Sequence, residues 1–296
     1  MSITVCITTK DRWNLLDKAL NSALNQNYIS EVIVINDGSI EDESISFLEI
    51  LKKHGSSIKY IKNQSSLGLA KCRNIAIRNC TNKIFTFLDD DDFWPDKYIH
   101  DNNIIELFEK NNEVKCLFIY PKNKILNLDE DIIISIKKVL KNQYIPPVGS
   151  QFYRIDLIRE VGGYNEQIKS GVDHDLWINL LQTDCLCCLH HGYGAKGQSS
   201  LKANRLTTNK IERFKGINSA LKIWKPSITN FLGESFYKKF RDSYQLHLNY
   251  KFLRKAIISF NIPDFFQHSS LRVIVMLIKD LCLRIIGISP SKKFLK

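Results

Sequence analysis

Ile84-Phe85-Thr86-Phe87-Leu88-Asp89-Asp90-Asp91-Asp92-Phe93-Trp94 reads as an apolar strand that runs without a break into four carboxylates. Two unit charges about 4 Å apart repel by roughly 4 kcal/mol at an effective dielectric near 20. Something cationic should relieve that repulsion. A hard divalent ion, Mg²⁺ or Mn²⁺, favours carboxylate oxygen and would do so. The plainer alternative is a solvated acidic loop capping the next helix. The strand in front favours the ion, because it fixes the cluster at a sheet edge, where open α/β sheets bind their ligands.

Working outward, Ile3-Thr4-Val5-Cys6-Ile7 reads as a first strand, followed by a polar loop from Thr8 to Arg12. Trp13, Leu16, Leu20, Ala23 and Leu24 then recur at helical spacing. Val32-Ile33-Val34-Ile35 is uniformly apolar, as a parallel strand covered on both faces should be. Asn36-Asp37-Gly38-Ser39 supplies turn chemistry after it. A short strand over 57–61, a helix over 68–80 and the strand at 84–88 complete a β-α-β-α order. That order predicts an α/β fold, an open and mostly parallel sheet flanked by helices. Pro95 suits the first turn of a helix reaching about Lys110. Further on, the pattern predicts a strand at 116–120 and helices over 132–140, 152–161 and 173–181, with Gly162-Gly163 ending the second of these helices.

The chain has 296 residues, enough for a sizeable core without covalent staples. Its formal net charge is +11, and the excess is confined to one third. Residues 201–296 carry 19 basic and 5 acidic side chains, a net +14, whereas residues 1–200 sum to −3. This predicts a catalytic region, 1–210, followed by a helical basic region, 211–296, that meets an anionic surface. The stretch 271–288 is rich in Leu, Ile and Val but includes Arg272, Lys279, Asp280 and Arg284. Such a segment suits an amphipathic helix on an anionic membrane better than a spanning one, with a helix packed on the catalytic region as the bland alternative. Met1 to Lys10 lacks a basic end followed by an apolar stretch. The eight cysteines are accordingly expected as reduced thiols of a cytoplasmic protein, peripheral on the inner membrane face if the tail binds lipid. Cys185, Cys187 and Cys188 crowd together, but no second cluster at zinc spacing accompanies them, and an apolar strand accounts for them.

Five ordered motifs over roughly residues 2 to 200 resemble the family 2 glycosyltransferases, inverting sugar-transfer enzymes of the GT-A fold. They are Val5 to Arg12, Val34-Ile35-Asn36-Asp37-Gly38-Ser39, Gly68 with Ala70-Lys71-Cys72-Arg73-Asn74, and Phe87 to Trp94 with its Asp-X-Asp segment. The fifth joins Gly162-Gly163-Tyr164-Asn165-Glu166 to Asp173-His174-Asp175-Leu176-Trp177. The resemblance implies a nucleotide-sugar donor, UDP-sugar favoured, and a glycan or lipid-linked acceptor of surface polysaccharide biosynthesis. It also implies Mn²⁺ or Mg²⁺ as cofactor. On it, Thr8 and Thr9 would contact the nucleoside through their backbone. Asp37 would accept a hydrogen bond from the base, and Arg73 would donate one to it. Asp90 would hold the ribose and Asp91 the metal, with Asp89 supporting on the metal side. Asp92 leaves that register open by one residue. Asp173 matches the family's catalytic base, although Val172 stands where many relatives have Glu, and Asp175 is the alternative. Trp177 could be core or a sugar platform.

Other function classes fit less of the chain. A nucleotidyltransferase would want a glycine-rich phosphate loop, and Ile7 to Arg12 contains no glycine. The Gly-x-x-x-x-Gly-Lys-Ser/Thr signature of P-loop enzymes is missing from the sequence. Nucleic-acid binding through Phe236, Tyr237, Phe240 and Tyr244 would explain the basic region and leave the aspartates unexplained, so no nucleic-acid partner is expected. A catalytically dead, glycan-binding relative is a third alternative.

Overall fold

A computed structural model describes residues 1–121, 131–141, 146–198 and 210–258, together with residues 273 and 275. The predicted tail helix at 271–288 lies outside the described residues apart from those last two. The chain divides into two compact units, Met1–Arg205 and Leu206–Lys296.

The first unit is built on an eight-stranded sheet ordered β3-β2-β1-β4-β8-β6-β9-β7. Strands β1 (Ile3–Thr9), β2 (Ile29–Asn36), β3 (Ile58–Lys62) and β4 (Ile84–Phe87) are mutually parallel. Their apolar runs are buried: Val5, Ile7, all of Val32 to Ile35, and Ile84 to Phe87 lie in the core. Helix α1 (Trp13–Leu24) turns Trp13, Leu16, Leu20 and Ala23 inward, as the helical spacing requires. Helix α2 (Ile45–His54) starts where the Ser44 hydroxyl accepts from the Phe47 N–H, and α3 (Leu69–Asn79) starts after Gly68 at φ 90°. Because β1 has β2 on one side and β4 on the other, the strand order reverses there. A crevice opens beyond the carboxyl ends at such a point.

The rest of the sheet departs from the predicted helices in three places. Residues 132–135 form a strand, β7, pairing antiparallel with β9 (Leu186–Gly192), and α6 follows only at Ile136–Lys141. Three consecutive isoleucines fit a pleated surface better than a helix. Gln151–Arg154 is strand β8, lying antiparallel between β4 and β6 (Val114–Pro121), with helix α7 confined to Ile155–Glu160. Here the aromatic pair Phe152 and Tyr153 fills the core, so tertiary pairing overrides a helical reading. The helix expected from Pro95 to Lys110 breaks into α4 (Tyr98–Asp101) and α5 (Ile104–Lys110). The Asn102 side chain donates to the Tyr98 and Tyr193 carbonyls and accepts from the Tyr193 N–H, while Asn103 turns left-handed at φ 49°. A short two-stranded sheet pairs β5 (Asp92–Phe93) with β10 (Lys196–Gly197).

Helix α8 (Val172–Asn179) completes the first unit and is followed by a short 3₁₀ turn at Leu180–Gln182. The second unit, where described, is a hairpin of α9 (Lys210–Leu232) and α10 (Glu234–Ile258) around Gly233 at φ 92°. Trp224, Tyr237 and Phe240 are buried in it, and the Trp224, Phe236, Phe240 and Tyr244 rings pack on one another. Among the described residues no helix is long and apolar enough to cross a membrane.

One turn ties sheet and helices together. Asn74 on α3 accepts from the Tyr164 N–H (2.9 Å) and donates to the Tyr164 carbonyl (2.9 Å) and to Glu166 (3.1 Å). Gly162 and Gly163 precede it at φ 78° and 72°, and a Cβ on Gly163 would sit 2.5 Å from the Asn74 Oδ1. At Gly162 the same atom would meet nothing within 4 Å. Gly162→Ala should therefore cost only the left-handed strain of about 1–2 kcal/mol. Gly163→Ala should cost clearly more, with unchanged m-value in urea unfolding of the two variants side by side.

Candidate active site

The loops after β1, β2 and β4 converge on the crevice. The first two are stitched to each other: Asp11 accepts from the Ile40 (2.7 Å) and Glu41 (3.3 Å) N–H groups, and its own N–H donates to Ser39. The Asp37 N–H donates to the Thr9 carbonyl at the end of β1. The Asp37 carboxylate in turn gathers the segment leading into α3, accepting from Asn63 (3.2 Å), Ser66 (2.8 Å), the Leu67 N–H (2.6 Å) and the Gly68 N–H (3.0 Å). Partial burial works to raise the Asp37 pKa, but these hydrogen bonds outweigh it and hold the carboxyl below its usual range. Gly38 lets the turn pass, since a Cβ there would lie 2.5 Å from the Ser65 backbone.

The four aspartates do not share one environment. Asp90 is fully buried and faces inward, where the Arg12 guanidinium grips both of its oxygens, one through Nε at 3.0 Å. Burial pushes the Asp90 carboxyl up to about 7 despite that cation. Gln198 fixes the same loop from the far side, its N–H donating to the Asp91 carbonyl and its side chain to the Leu15 and Asp90 carbonyls. The alternation of a tight turn sends Asp89 and Asp91 outward, with side chains 37% and 15% exposed. Asp92 enters the small sheet. Enclosed this way, both Asp90 oxygens face Arg12.

Arg73 is the second cation. Its side chain, 1% exposed, lies against the Phe87 ring (4.9 Å) and the Tyr164 ring (5.4 Å). From there it donates to Asp173 at 2.7 Å and to Asp89 at 3.3 Å. Its donors thus address two carboxylates of the crevice, and none is aimed at Asp37. Burial alone would lower the arginine's pKa, but Tyr164, Asp173 and Asp89 around it raise it, and it stays charged. Asp89 is lifted above the ordinary carboxylate range, first by the loss of water in the crevice and then by Asp173 and Asp91, with Arg73 opposing.

The two candidate bases separate cleanly in space. Asp173 opens α8 and its side chain is 47% exposed. Asp175 is 1% exposed and accepts the Asn165 N–H at 2.6 Å, bracing the glycine turn. Trp177 is core: it stacks on Phe118 (4.5 Å) and donates to Tyr153 and Gln151. The site that emerges comprises Asp89 and Asp173 on the buried Arg73 and Asp91 beside Arg12, with the Thr9 carbonyl bonded to the Asp37 N–H nearby. Outward-facing carboxylate oxygens of this kind fit a hard divalent ion. Sequence reasoning missed Arg12, Asn74 and Gln198 as supports; only the demand for a counter-charge near the aspartates hinted at the arginines.

Comparison with known proteins follows the geometry. The sequence profile described as Glycosyl transferase family 2 matches residues 4–152, half of the chain. An uncharacterised glycosyltransferase of Rickettsia conorii is 25% identical over 61% of this chain, but the match covers 31% of that protein, so the chain spans about a third of the length of such relatives. A Campylobacter jejuni protein named GalNAc(5)-diNAcBac-PP-undecaprenol beta-1,3-glucosyltransferase is 26% identical over 86% of each chain. An Escherichia coli UDP-Glc:alpha-D-GlcNAc-diphosphoundecaprenol beta-1,3-glucosyltransferase is 22% identical over 69% of this chain and 80% of its own. In fold, S. aureus TarS 1-349 matches with TM-score 0.60 at 17% identity, covering 92% of this chain and 82% of that one. A mannosyltransferase of Pyrobaculum calidifontis matches with TM-score 0.56 at 14% identity over 96% and 80%.

Because the folded Asp37 carboxyl titrates below its ordinary value of 3.8, its contribution to stability is present above that pH and fades as pH falls through the lower folded value. Asp37→Asn should lose about 1–3 kcal/mol at pH 7, where an amide N–H₂ faces donors. The gap to wild type should narrow at pH 3, as measured by urea unfolding at both pH values. The chain belongs to the glycosyl transferase family 2, with a GT-A-type sheet.

Proposed function

We propose that the chain is an inverting glycosyltransferase that moves a sugar from a UDP-sugar to a hydroxyl of a lipid-linked glycan. One observation carries this reading: the solvent-facing Asp173 and the outward Asp89 meet at the strand switch point on the buried Arg73, with Asp91 beside them at 3.8 Å from Arg12. The names of the E. coli and C. jejuni relatives, which specify undecaprenol-linked acceptors and in one case UDP-Glc, support the donor and acceptor classes. TarS structures with UDP and with UDP-GlcNAc, and the mannosyltransferase structure with GDP-Man and Mn²⁺, support a nucleotide-sugar and metal site in this fold.

In this mechanism the Thr8–Thr9 backbone and the loop held by Asp37 form the nucleoside wall. The uracil N–H reaches Asp37 by displacing the Ser66 hydroxyl, the most easily rotated of its four donors. The ribose contact passes from the enclosed Asp90 to Asp89. Asp90 instead holds Arg12 in place beneath the donor diphosphate. Asp91, with Asp89, would hold Mn²⁺ or Mg²⁺, which when bound supplies Lewis-acid neutralisation of the departing diphosphate. Asp173 takes the acceptor proton as its hydroxyl attacks from the face opposite the leaving group. Arg73 sets the position of Asp173 through its 2.7 Å hydrogen bond. A lipid-linked acceptor would also give the basic C-terminal third a reason to meet an anionic membrane.

Calorimetry with UDP, with and without Mn²⁺, tests the donor and metal half. Micromolar binding that needs Mn²⁺ and disappears in Asp91→Ala is expected; equal binding without metal, or in that variant, contradicts it. Asp173→Asn should keep nucleotide affinity while lowering turnover by about 10²–10⁴-fold in a donor-transfer assay.

A further inference from the structure

The cysteines that the sequence leaves to an apolar strand are joined by a third from a distant one. Cys116 on β6 is the register partner of Cys187 on β9, and Cys185 lies two residues earlier at the mouth of the same strand. The three sulfurs all lie within 4.8 Å of one another and all three residues are buried. A zinc–sulfur bond of about 2.3 Å sets ligand sulfurs about 3.8–4.0 Å apart, so closing on an ion requires shifts of well under an ångström in each side chain.

The cluster is reachable. A surface pocket of about 210 Å³ ends on Cys185 and is walled by Glu113, Glu160, Asp184 and Lys115, with Thr183 beside them. Three carboxylates against one lysine favour entry of a cation, although Lys137 pairs with Asp184 at 3.1 Å. The pocket also leaves room for a water as fourth ligand. This place is remote from the carboxylate crevice. Both β4 and β6 run antiparallel to β8, so they point the same way. The aspartates follow the carboxyl end of β4, whereas Cys116 and Cys185 lie near the amino ends of β6 and β9, at the opposite edge of the sheet.

We infer that Cys116, Cys185 and Cys187 form a binding site for a soft, thiolate-seeking divalent cation, zinc in the natural setting, that staples β6 to β9. Soft thiolate ligands select against the Mg²⁺ or Mn²⁺ suited to the carboxylates, so the two sites take different ions. Binding releases thiol protons and therefore weakens as pH falls.

Cd²⁺ titration of the reduced full-length chain tests this, because thiolate–cadmium charge transfer absorbs in the ultraviolet and carboxylate ligation does not. The absorption should saturate at one equivalent, protect three thiols from a thiol reagent, and be reversed by competing Zn²⁺, which should itself raise Tm. Cys116→Ser and Cys187→Ser should weaken Cd²⁺ binding at least tenfold. Cys188→Ser, whose side chain leaves the opposite face of β9, should not. If either buried variant fails to fold, Cys185→Ser at the pocket wall gives the same test. No charge-transfer band in the folded wild type, or a band that survives Cys185→Ser and Cys187→Ser, would overturn the site.

Discussion

A guanidinium that cannot lose its proton lies almost wholly buried at the centre of the catalytic unit, and much of the site is arranged to keep it there. Arg73 is held by two carboxylates from different parts of the chain, Asp89 after β4 and Asp173 at the start of α8, and by the Phe87 and Tyr164 ring faces. The arginine therefore couples two carboxylates that are far apart in sequence. Fixed charges placed before substrate arrives need no reorganisation during the reaction.

A second cation performs the complementary task. Four consecutive aspartates would repel strongly if all faced one space. The fold resolves this by turning Asp90 inward onto Arg12 and leaving Asp89 and Asp91 at the surface of the crevice. The clamp of Asn74 on the Tyr164 peptide and of Asp175 on the Asn165 N–H keeps the Gly162–Glu166 turn in register with α3.

Periodicity made the parallel half of the sheet legible: uniform apolar runs at 32–35 and 84–88 could only be strands covered on both faces. It failed where short strands carry no alternation. Ile132 to Ile134 and Phe152-Tyr153 take their strand form from partners on β9, β4 and β6, which no local window contains. The helix break at Asn102 has the same origin, a contact with Tyr193 ninety-one residues away. Residue types at the site were visible, but their partners were not. That Arg73 bonds Asp89 and Asp173 is not visible in any local window, and Asp173 and Asp175 are separable only by burial. The aromatic residues of α10, read alone, resembled a stacking surface; in the hairpin their rings pack on Trp224 and on each other.

The most direct test of this arrangement is anomalous diffraction at the manganese edge from crystals grown with UDP and Mn²⁺. A single strong peak within about 2.2 Å of an Asp91 oxygen is expected, as for a hard ion on carboxylate, with Arg73 still bound to Asp89 and Asp173. A peak elsewhere, or an Arg73 released from both carboxylates when the nucleotide is in place, would contradict the account.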